Sequence, residues 1–191
     1  PSMGLAFLRA HAATGDARYL DAARAAADAL AVGQLESGGW DYVVDFDPAQ
    51  SVKWYRRSDV GKISAAEAAK RRNVTTFDDD NTQSALRLLL AVGDVIKDSA
   101  DPRDVRIRSA RDYALTKLLA AQRANGGWPQ RWTGTPVDPR EYPVQPARFP
   151  ANYPREHPKA NYNGFYTLND NTHRDCVMTL LDAAKRLGRP E

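Results

Sequence analysis

The sequence predicts an all-α fold, an (α/α) toroid built from repeated helical hairpins, because two pairs of matching segments recur at nearly one period. Asp80-Asn81-Thr82 is repeated as Asp170-Asn171-Thr172, 90 residues later, and each copy opens an apolar helical stretch. Ser37-Gly38-Gly39-Trp40 is matched by Asn125-Gly126-Gly127-Trp128, 88 residues later. Two independent markers with nearly the same spacing indicate an internal repeat, which is typical of repeat architectures.

Five helices are predicted from apolar residues at helical spacing and from the residues that begin and end helices. They cover residues 3–13, 19–35, 84–95, 101–123 and 172–187. The segment Thr14-Gly15-Asp16 ends the first helix and restarts the chain as the second, which is rich in alanine. Alanine has the highest helix propensity, and its small side chain lets neighbouring helices approach closely.

Two long segments separate the predicted helices. In the first, residues 41–76, residues 42–44 could form a short strand and residues 64–71 a short helix. The second, residues 133–163, holds eight of the chain's twelve prolines when Pro129 is included, so its interior cannot be helical. Loops of this length are uncommon inside compact domains and are more often functional.

This pattern predicts one domain, residues 1–191, made of repeat units at about 1–75, 76–165 and 166–191. The third unit stops where its second helix should begin. We therefore expect the toroid to be incomplete at its C-terminus and the parent protein to continue past Glu191.

The composition is that of an ordinary globular chain, with 42% hydrophobic and 27% charged residues and a net charge of +3. The basic clusters Arg56-Arg57 and Lys70-Arg71-Arg72 would suit an anionic sugar polymer or a nucleic acid equally. No apolar run approaches the length that spans a bilayer. A single cysteine, Cys176, excludes a disulfide framework, and we expect it in the core.

The candidate site follows from topology. Acidic loops precede the first helices of the hairpins, and Gly-Gly-Trp turns follow the second helices. In a ring of antiparallel hairpins these positions lie on one face. That face should gather Asp78, Asp79, Asp80, Asp170, Trp128 and Gln130 around one cleft.

The consecutive carboxylates of Asp78, Asp79 and Asp80 repel one another, so a stable loop requires positive potential nearby. A helix N-terminus supplies some of it. A divalent cation would supply more, and calcium takes hard oxygen ligands of this kind. The alternative is ordinary N-capping, in which Asp80 or Asn81 caps one helix and Asp170 or Asn171 caps the other.

Several aromatic side chains could bind sugar rings by stacking: Trp40, Trp54, Trp128 and Trp132. Packing beneath helix ends is the alternative, and we favour it for Trp40. Arg131 and Arg174 are candidate carboxylate clamps, because a guanidinium matches a carboxylate bidentately. Both could equally be solvated arginines.

His173 lies beside Asp175 at a predicted helix start. It could act as a general base. A histidine in this position is more often a capping or surface residue.

Two motifs resemble the family 10 polysaccharide lyases, which are pectate lyases with an α/α toroid. They are Asn125-Gly126-Gly127-Trp128-Pro129-Gln130 and, opening a helix, Tyr166-Thr167-Leu168-Asn169-Asp170-Asn171. Residues 77–90 are similar to an earlier Asp-bearing loop and helix of that family, and the resemblance covers roughly residues 77–187. In such lyases calcium and aspartates bind the uronate carboxylate, and an arginine removes the C5 proton in β-elimination.

The resemblance implies cation- and substrate-binding positions for Asp78 and Asp170, while the internal repeat pairs Asp80 with Asp170. The expected calcium ligands are therefore Asp78, Asp80 and Asp170. The expected substrate-binding residues are Asp78, Trp128, Gln130, Arg131, Asn169 and Arg174. The family's catalytic arginine lies near its C-terminal end, in a segment that this chain does not contain, so no catalytic residue is assigned.

The expected function is calcium-assisted cleavage of polygalacturonate or a related acidic polysaccharide, with neither a nucleic acid nor a membrane as partner. A secreted, periplasmic or cell-surface location would fit this substrate, although the chain begins at Pro1 and shows no signal peptide. Two alternatives remain open: an inverting glycoside hydrolase on the same fold, and a non-catalytic carbohydrate-binding module. A terpenoid-cyclase-like toroid is disfavoured, because the tryptophans cluster with Pro, Gln and Arg.

Overall fold

The computed structural model of this chain describes residues 1–138, 162–164 and 170–188. Over these residues the protein is mostly helical, in agreement with the predicted all-α class. Its helices are α1 (Ser2–Thr14), α2 (Ala17–Gly33), α3 (Pro48–Ser51), α4 (Ala65–Ala68), α5 (Asn81–Val95), α6 (Pro102–Ala121) and α7 (Thr172–Leu187). Single 3-10 turns lie at Arg57–Asp59, Asp78–Asp80 and Tyr162–Gly164.

The β-structure in the described ranges is one short antiparallel pair, β1 (Thr75–Thr76) and β2 (Arg131–Trp132). Thr75 pairs with Trp132, and Thr76 pairs with Arg131. The suggested strand at 42–44 is irregular backbone. Most of the proline-rich segment 133–163 lies outside the described residues.

Local signals explain where the main helices begin and end. Asp16 and Asp101 cap α2 and α6, each accepting a hydrogen bond from a backbone N–H two residues later. Gly15 (φ 71°) and Gly188 (φ 63°) end α1 and α7 in the left-handed conformation that glycine adopts without strain. Helix α5 begins at Asn81, three residues before the predicted start at Ser84.

Helix α5 is the centre of the fold. It packs against α1, α2, α6 and α7, while α1 also packs on α2 and α2 on α6. Its leucines point in every direction and are fully buried: Leu86, Leu88, Leu89 and Leu90. A helix that is apolar on all sides is buried by its neighbours. Because α5 is buried in this way, the chain segments at its two ends are held in fixed positions.

Ion pairs line the contact between α2 and α6. Arg24 donates from Nε to Oδ1 of Asp104 at 2.7 Å, and Asp104 is 1% exposed. Burial alone would raise the pKa of the Asp104 carboxyl, but hydrogen bonds from Arg24 and Ser99 hold it below the ordinary value. No helix in the described ranges is long and apolar enough to cross a membrane.

The two Gly-Gly-Trp turns share their tryptophan contacts. The indole Nε1 of Trp40 donates to the carbonyl of Leu30 at 2.9 Å, ten residues earlier. The indole Nε1 of Trp128 donates to the carbonyl of Leu118 at 2.9 Å, also ten residues earlier. Each indole therefore fastens its turn to the helix that precedes it.

The same turns also share their backbone geometry. Gln34 donates from Nε2 to the carbonyl of Gly38 at 2.9 Å, and Gln122 makes the matching bond to Gly126 at 3.1 Å. Both glycines have positive φ, 109° at Gly38 and 85° at Gly126, which a residue with a side chain would adopt with strain. The 88-residue sequence match at the turns is therefore also a match in local structure.

Candidate metal and substrate site

Three carboxylates meet where the N-termini of α5 and α7 lie side by side. One oxygen from each of Asp78, Asp79 and Asp170 lies within 4.8 Å of the others. Asp78 is half-buried, whereas Asp79 and Asp170 are exposed. Because α7 packs against both α5 and the turn Asp78–Asp80, residues about 90 positions apart in the chain form one acidic cluster. These three residues could hold a metal ion.

Asp80 lies outside this cluster, contrary to the expected ligand set. Its carboxylate forms an ion pair with Arg87, about two turns along α5. Arg87 in turn donates from Nη1 to Oγ1 of Thr179 on α7 at 3.0 Å. Asp80 is therefore part of an α5–α7 bridge, and Asp79 takes the position that the internal repeat had suggested for Asp80.

The backbone of both acidic loops is strained. Asp79, Asp80 and Asp170 have φ values of 52°, 57° and 36°. Left-handed backbone is uncommon for residues with a side chain, and each instance costs on the order of 1 kcal/mol. Two consecutive left-handed residues turn the chain sharply, which explains why the Asp79 and Asp80 side chains diverge.

Asp80 and Asn171 do not act as helix caps through their side chains. Helix α5 follows Asp80 and α7 follows Asn171, and neither residue makes a side-chain cap hydrogen bond. The N-capping alternative is therefore wrong for these two residues. The helix N-termini still contribute positive potential to the loops.

Buried polar atoms without a hydrogen-bond partner concentrate in these loops and in the first turns that follow them. Within the described ranges they are Thr76 Oγ1, Asp80 Oδ1, Asn81 Nδ2, Gln83 Oε1, Thr172 Oγ1 and His173 Nδ1. Each such atom costs about 1–3 kcal/mol, and native proteins contain few of them. Shielding these atoms from solvent therefore makes this part of the fold costly to form.

The strand pair β1–β2 holds the acidic loop against residues 130 and 131. The N–H of Phe77 donates to the carbonyl of Gln130 at 2.9 Å, and Thr76 pairs with Arg131. Gln130 and Arg131, both expected at the site, therefore lie beside the 78–80 turn. Arg131 is half-buried, with Nη1 3.7 Å from Oδ1 of Asp41.

Tyr42 is a site residue that the sequence did not single out. Its hydroxyl donates to Oδ2 of Asp79 at 3.4 Å, and the Arg131 guanidinium lies 4.9 Å from its ring centroid. The side chain is 49% exposed. An aromatic residue two positions after a Gly-Gly-Trp turn was the available signal, but the segment 42–44 was interpreted only as a possible strand.

The tryptophans expected to bind sugars are buried. Trp40, Trp54, Trp128 and Trp132 are 2%, 7%, 2% and 3% exposed. The backbone N–H of Trp128 donates to Nε2 of His173 at 3.2 Å, and the two rings meet edge to face. Trp128 therefore packs beneath the start of α7 with its ring buried, and its expected role in substrate binding stays a prediction.

His173 and Arg174 differ from each other in their surroundings. Burial lowers the pKa of the His173 imidazole, and its Nε2 is occupied as the acceptor from Trp128. It is therefore a structural acceptor rather than a free base. Arg174 has a largely exposed side chain that pairs with Asp175 at 2.9 Å, and its expected role in substrate binding stays a prediction. Asn169, also expected at the site, lies outside the described residues.

Cys176 is buried beside the site. Gln83 donates to its Sγ at 3.4 Å, and burial raises the pKa of the thiol to about 12. It stays protonated at neutral pH and serves as a core residue.

Comparisons of this chain with protein-family models, with curated proteins and with solved structures find no match.

Proposed function

We propose that this chain binds an acidic polysaccharide, polygalacturonate or a close relative, through a calcium ion held by Asp78, Asp79 and Asp170. We further propose that it acts as a pectate lyase, cleaving the polymer by β-elimination. The observation that carries the proposal is the meeting of three carboxylates from two separate loops, the loops that precede α5 and α7.

The spacing of the carboxylates supports a calcium site. Calcium binds oxygen ligands at about 2.3–2.6 Å, so two ligands of one ion lie at most about 5 Å apart. The oxygens of Asp78, Asp79 and Asp170 lie within 4.8 Å of one another. Calcium takes about 6–8 oxygens, so three protein ligands leave positions for substrate oxygens and water.

The neighbouring side chains support a uronate as the substrate. The Arg131 guanidinium can donate to a sugar carboxylate at the edge of the cluster, and the Tyr42 hydroxyl can hydrogen-bond a sugar hydroxyl. The Tyr42 ring is partly exposed, so it provides an aromatic surface at the site, whereas the tryptophans are buried. When bound, the cation would neutralise the uronate carboxylate and so stabilise the charge that develops when a base takes the C5 proton, a role that the lyase resemblance gives to an arginine.

The proposal includes an (α/α) toroid as the scaffold. The matching hydrogen bonds of the two Gly-Gly-Trp turns support a repeated hairpin unit. In that arrangement the start of α5 and the start of α7 are equivalent positions in successive units, which is consistent with an acidic loop at each.

The carboxylate spacing argues against an inverting glycoside hydrolase that uses these residues. Such enzymes separate their two carboxyl groups by about 6.5–9.5 Å to admit a water. The oxygens here lie within 4.8 Å. A non-catalytic carbohydrate-binding module remains the second candidate, since the same cluster would bind the polymer without cleaving it.

Titration calorimetry with oligogalacturonate, with and without calcium, tests the binding step. We expect Asp78→Asn and Asp170→Asn to weaken calcium-dependent binding at least about tenfold, because a hard cation is held largely by charge. The melting temperature should barely change. Asp98→Asn, at an exposed position on the turn after α5, is the matched control. Wild-type affinity in both site variants would remove the proposal.

Product absorbance then separates lyase from binding module. β-Elimination leaves an unsaturated uronate that absorbs in the ultraviolet, whereas a binding module leaves the spectrum unchanged. Calcium-dependent binding without this absorbance would show that this chain alone binds the polymer without supplying the base that removes the C5 proton.

A further inference from the structure

A second candidate site lies at the C-terminal end of α2. A cavity of about 170 Å³ opens between the end of that helix and the segment that contains Arg56 and Arg71. Val32, Phe46 and Val52 form apolar parts of its wall. A cavity of this volume accepts a ligand of only a few heavy atoms.

Arg56 is a buried cation that forms no direct ion pair in the described part of the chain, although the carboxylates of Asp59 and Asp45 lie near enough to favour its charged form. It is 6% exposed, and its guanidinium donates to two neutral carbonyls, those of Gly33 and Asp45. The Trp54 ring lies beneath it, 5.5 Å from the guanidinium carbon to the ring centroid. Burial lowers the pKa of Arg56, which reflects the cost of holding this charge away from water. Buried charges in proteins are normally paired, so an anion in the cavity would stabilise Arg56.

Arg71 brings a second guanidinium to the same cavity. Its Nη1 donates to Oδ2 of Asp59 at 3.2 Å, and its Nη2 donates to Glu67 at 3.4 Å. Its Nε is buried and has no hydrogen-bond partner in the described residues. Asp59 also accepts from the backbone N–H of Arg56 at 3.0 Å, so that carboxylate orients Arg71 without pairing with the Arg56 guanidinium.

The remaining charges limit what the cavity can hold. Asp45 and Asp59 line it together with the two arginines, so the formal charge of its walls balances. A polyphosphate or a tricarboxylate would meet these carboxylates at close range. A single carboxylate on a short carbon chain matches both the guanidinium geometry and the apolar wall.

We propose that this cavity binds the carboxylate of a small organic acid, with Arg56 and Arg71 donating to the carboxylate and Phe46 and Val52 covering the carbon chain. This site is separate from the acidic cluster and does not depend on calcium. The proposal of this site therefore does not depend on the proposed polysaccharide binding.

The test uses the full chain in calcium-free buffer with a chelator, and three probes: butyrate, its neutral isostere butyramide, and inorganic phosphate. Side-chain N–H signals of arginine, followed by nitrogen–proton NMR, report binding directly. We expect butyrate to shift the Nε–H signals of Arg56 and Arg71 in a saturable way, with a dissociation constant on the order of 1 mM. Butyramide should leave both signals unchanged.

Arg71→Lys should weaken butyrate binding about tenfold or more, because lysine keeps the charge but loses the planar fork. Arg18→Gln is the control, since Arg18 is exposed and, among the residues that the structure describes, pairs with Asp16 alone. Arg56→Gln is less useful, because Arg56 also hydrogen-bonds Gly33 at the end of α2 and the variant could fail to fold. Arg71→Lys tests the proposal in that case too. Equal shifts with butyrate and butyramide, binding of phosphate but not butyrate, or unchanged affinity in Arg71→Lys would each overturn the proposal.

Discussion

The Gly-Gly-Trp turns at Trp40 and Trp128 make the same indole and glutamine hydrogen bonds. The acidic loops before α5 and α7 differ from the turns, because the residues that match in sequence are not the residues that match in structure. In sequence, Asp80 matches Asp170. In structure, Asp79 and Asp170 are equivalent: each has positive φ, each joins the acidic cluster, and each lies two residues before its helix.

An independent contact gives the same one-residue shift. The backbone N–H of Trp40 donates to Oγ1 of Thr82, and that of Trp128 donates to Nε2 of His173. Thr82 and His173 are each the second residue of their helices, yet Thr82 aligns with Thr172 in the sequence match. The hydrogen bonds from the turns, rather than residue identity, therefore fix how the loops correspond.

This one-residue shift assigns two different roles to Asp79 and Asp80, which the sequence had placed together in one site. Asp80 is bridged to Arg87 and fastens α5 to α7, while Asp79 faces the cluster. The second loop has Val177 and Met178 at the positions nearest to an Arg87 counterpart, and neither can pair with a carboxylate. The loop before α5 therefore has an ion pair to its helix that the loop before α7 lacks.

Removing the tryptophans should have the largest effect, because both are buried under their turns. Trp40→Ala and Trp128→Ala should each lower the free energy of unfolding by about 3–5 kcal/mol. Trp40→Phe and Trp128→Phe keep an aromatic ring but lose the bonds to Leu30 and Leu118, so they should cost less. Denaturant unfolding measures all four variants. If one turn tolerates alanine while the other does not, the two turns are not equivalent.

A smaller effect should distinguish Thr82 from His173, which accept the same hydrogen bond. Burial lowers the pKa of His173 in the folded protein, so the unfolded chain binds its proton more readily. The stability contributed by the neutral ring is present above the unfolded pKa, about 6.5, and is lost as pH falls through the lower folded value.

His173→Thr places the Thr82 type of acceptor beneath Trp128 and should remove this part of the pH dependence. Thermal unfolding between about pH 5 and 8 would show it as a difference of about 1 kcal/mol or less between the two proteins at the acidic end. An unchanged pH profile in His173→Thr would mean that His173 is not the group responsible.

Helical periodicity allowed the sequence to predict much of the fold. The α7 limits match the prediction, and α1, α2 and α6 differ by about two residues, because their apolar spacing and capping residues act locally. Helix α5 starts earlier than predicted because Asn81, Thr82 and Gln83 are polar, yet Thr82 and Gln83 are buried by bonds to Trp40 and Phe77. No local pattern reveals such long-range bonds.

The site was harder to predict for the same reason. Sequence topology brought Asp78 and Asp170 together, but the choice between Asp79 and Asp80 depends on backbone conformation and on Arg87. Burial of Trp128 and exposure of Tyr42 are set by tertiary packing, so residue type alone did not indicate which aromatic side chain lies exposed beside the cluster. The Arg56 cavity likewise depends on the burial of the Arg56 guanidinium, which sequence spacing does not show.

Calcium titration of Asp79→Asn and Asp80→Asn, followed by calorimetry without any saccharide, tests the central claim most directly. Both variants replace one adjacent carboxylate by an amide of the same shape. We predict that Asp79→Asn loses calcium affinity at least about tenfold while Asp80→Asn retains it and loses mainly stability, through the Arg87 bridge. Loss of calcium affinity in Asp80→Asn with wild-type affinity in Asp79→Asn would contradict the assignment of the cluster to Asp78, Asp79 and Asp170.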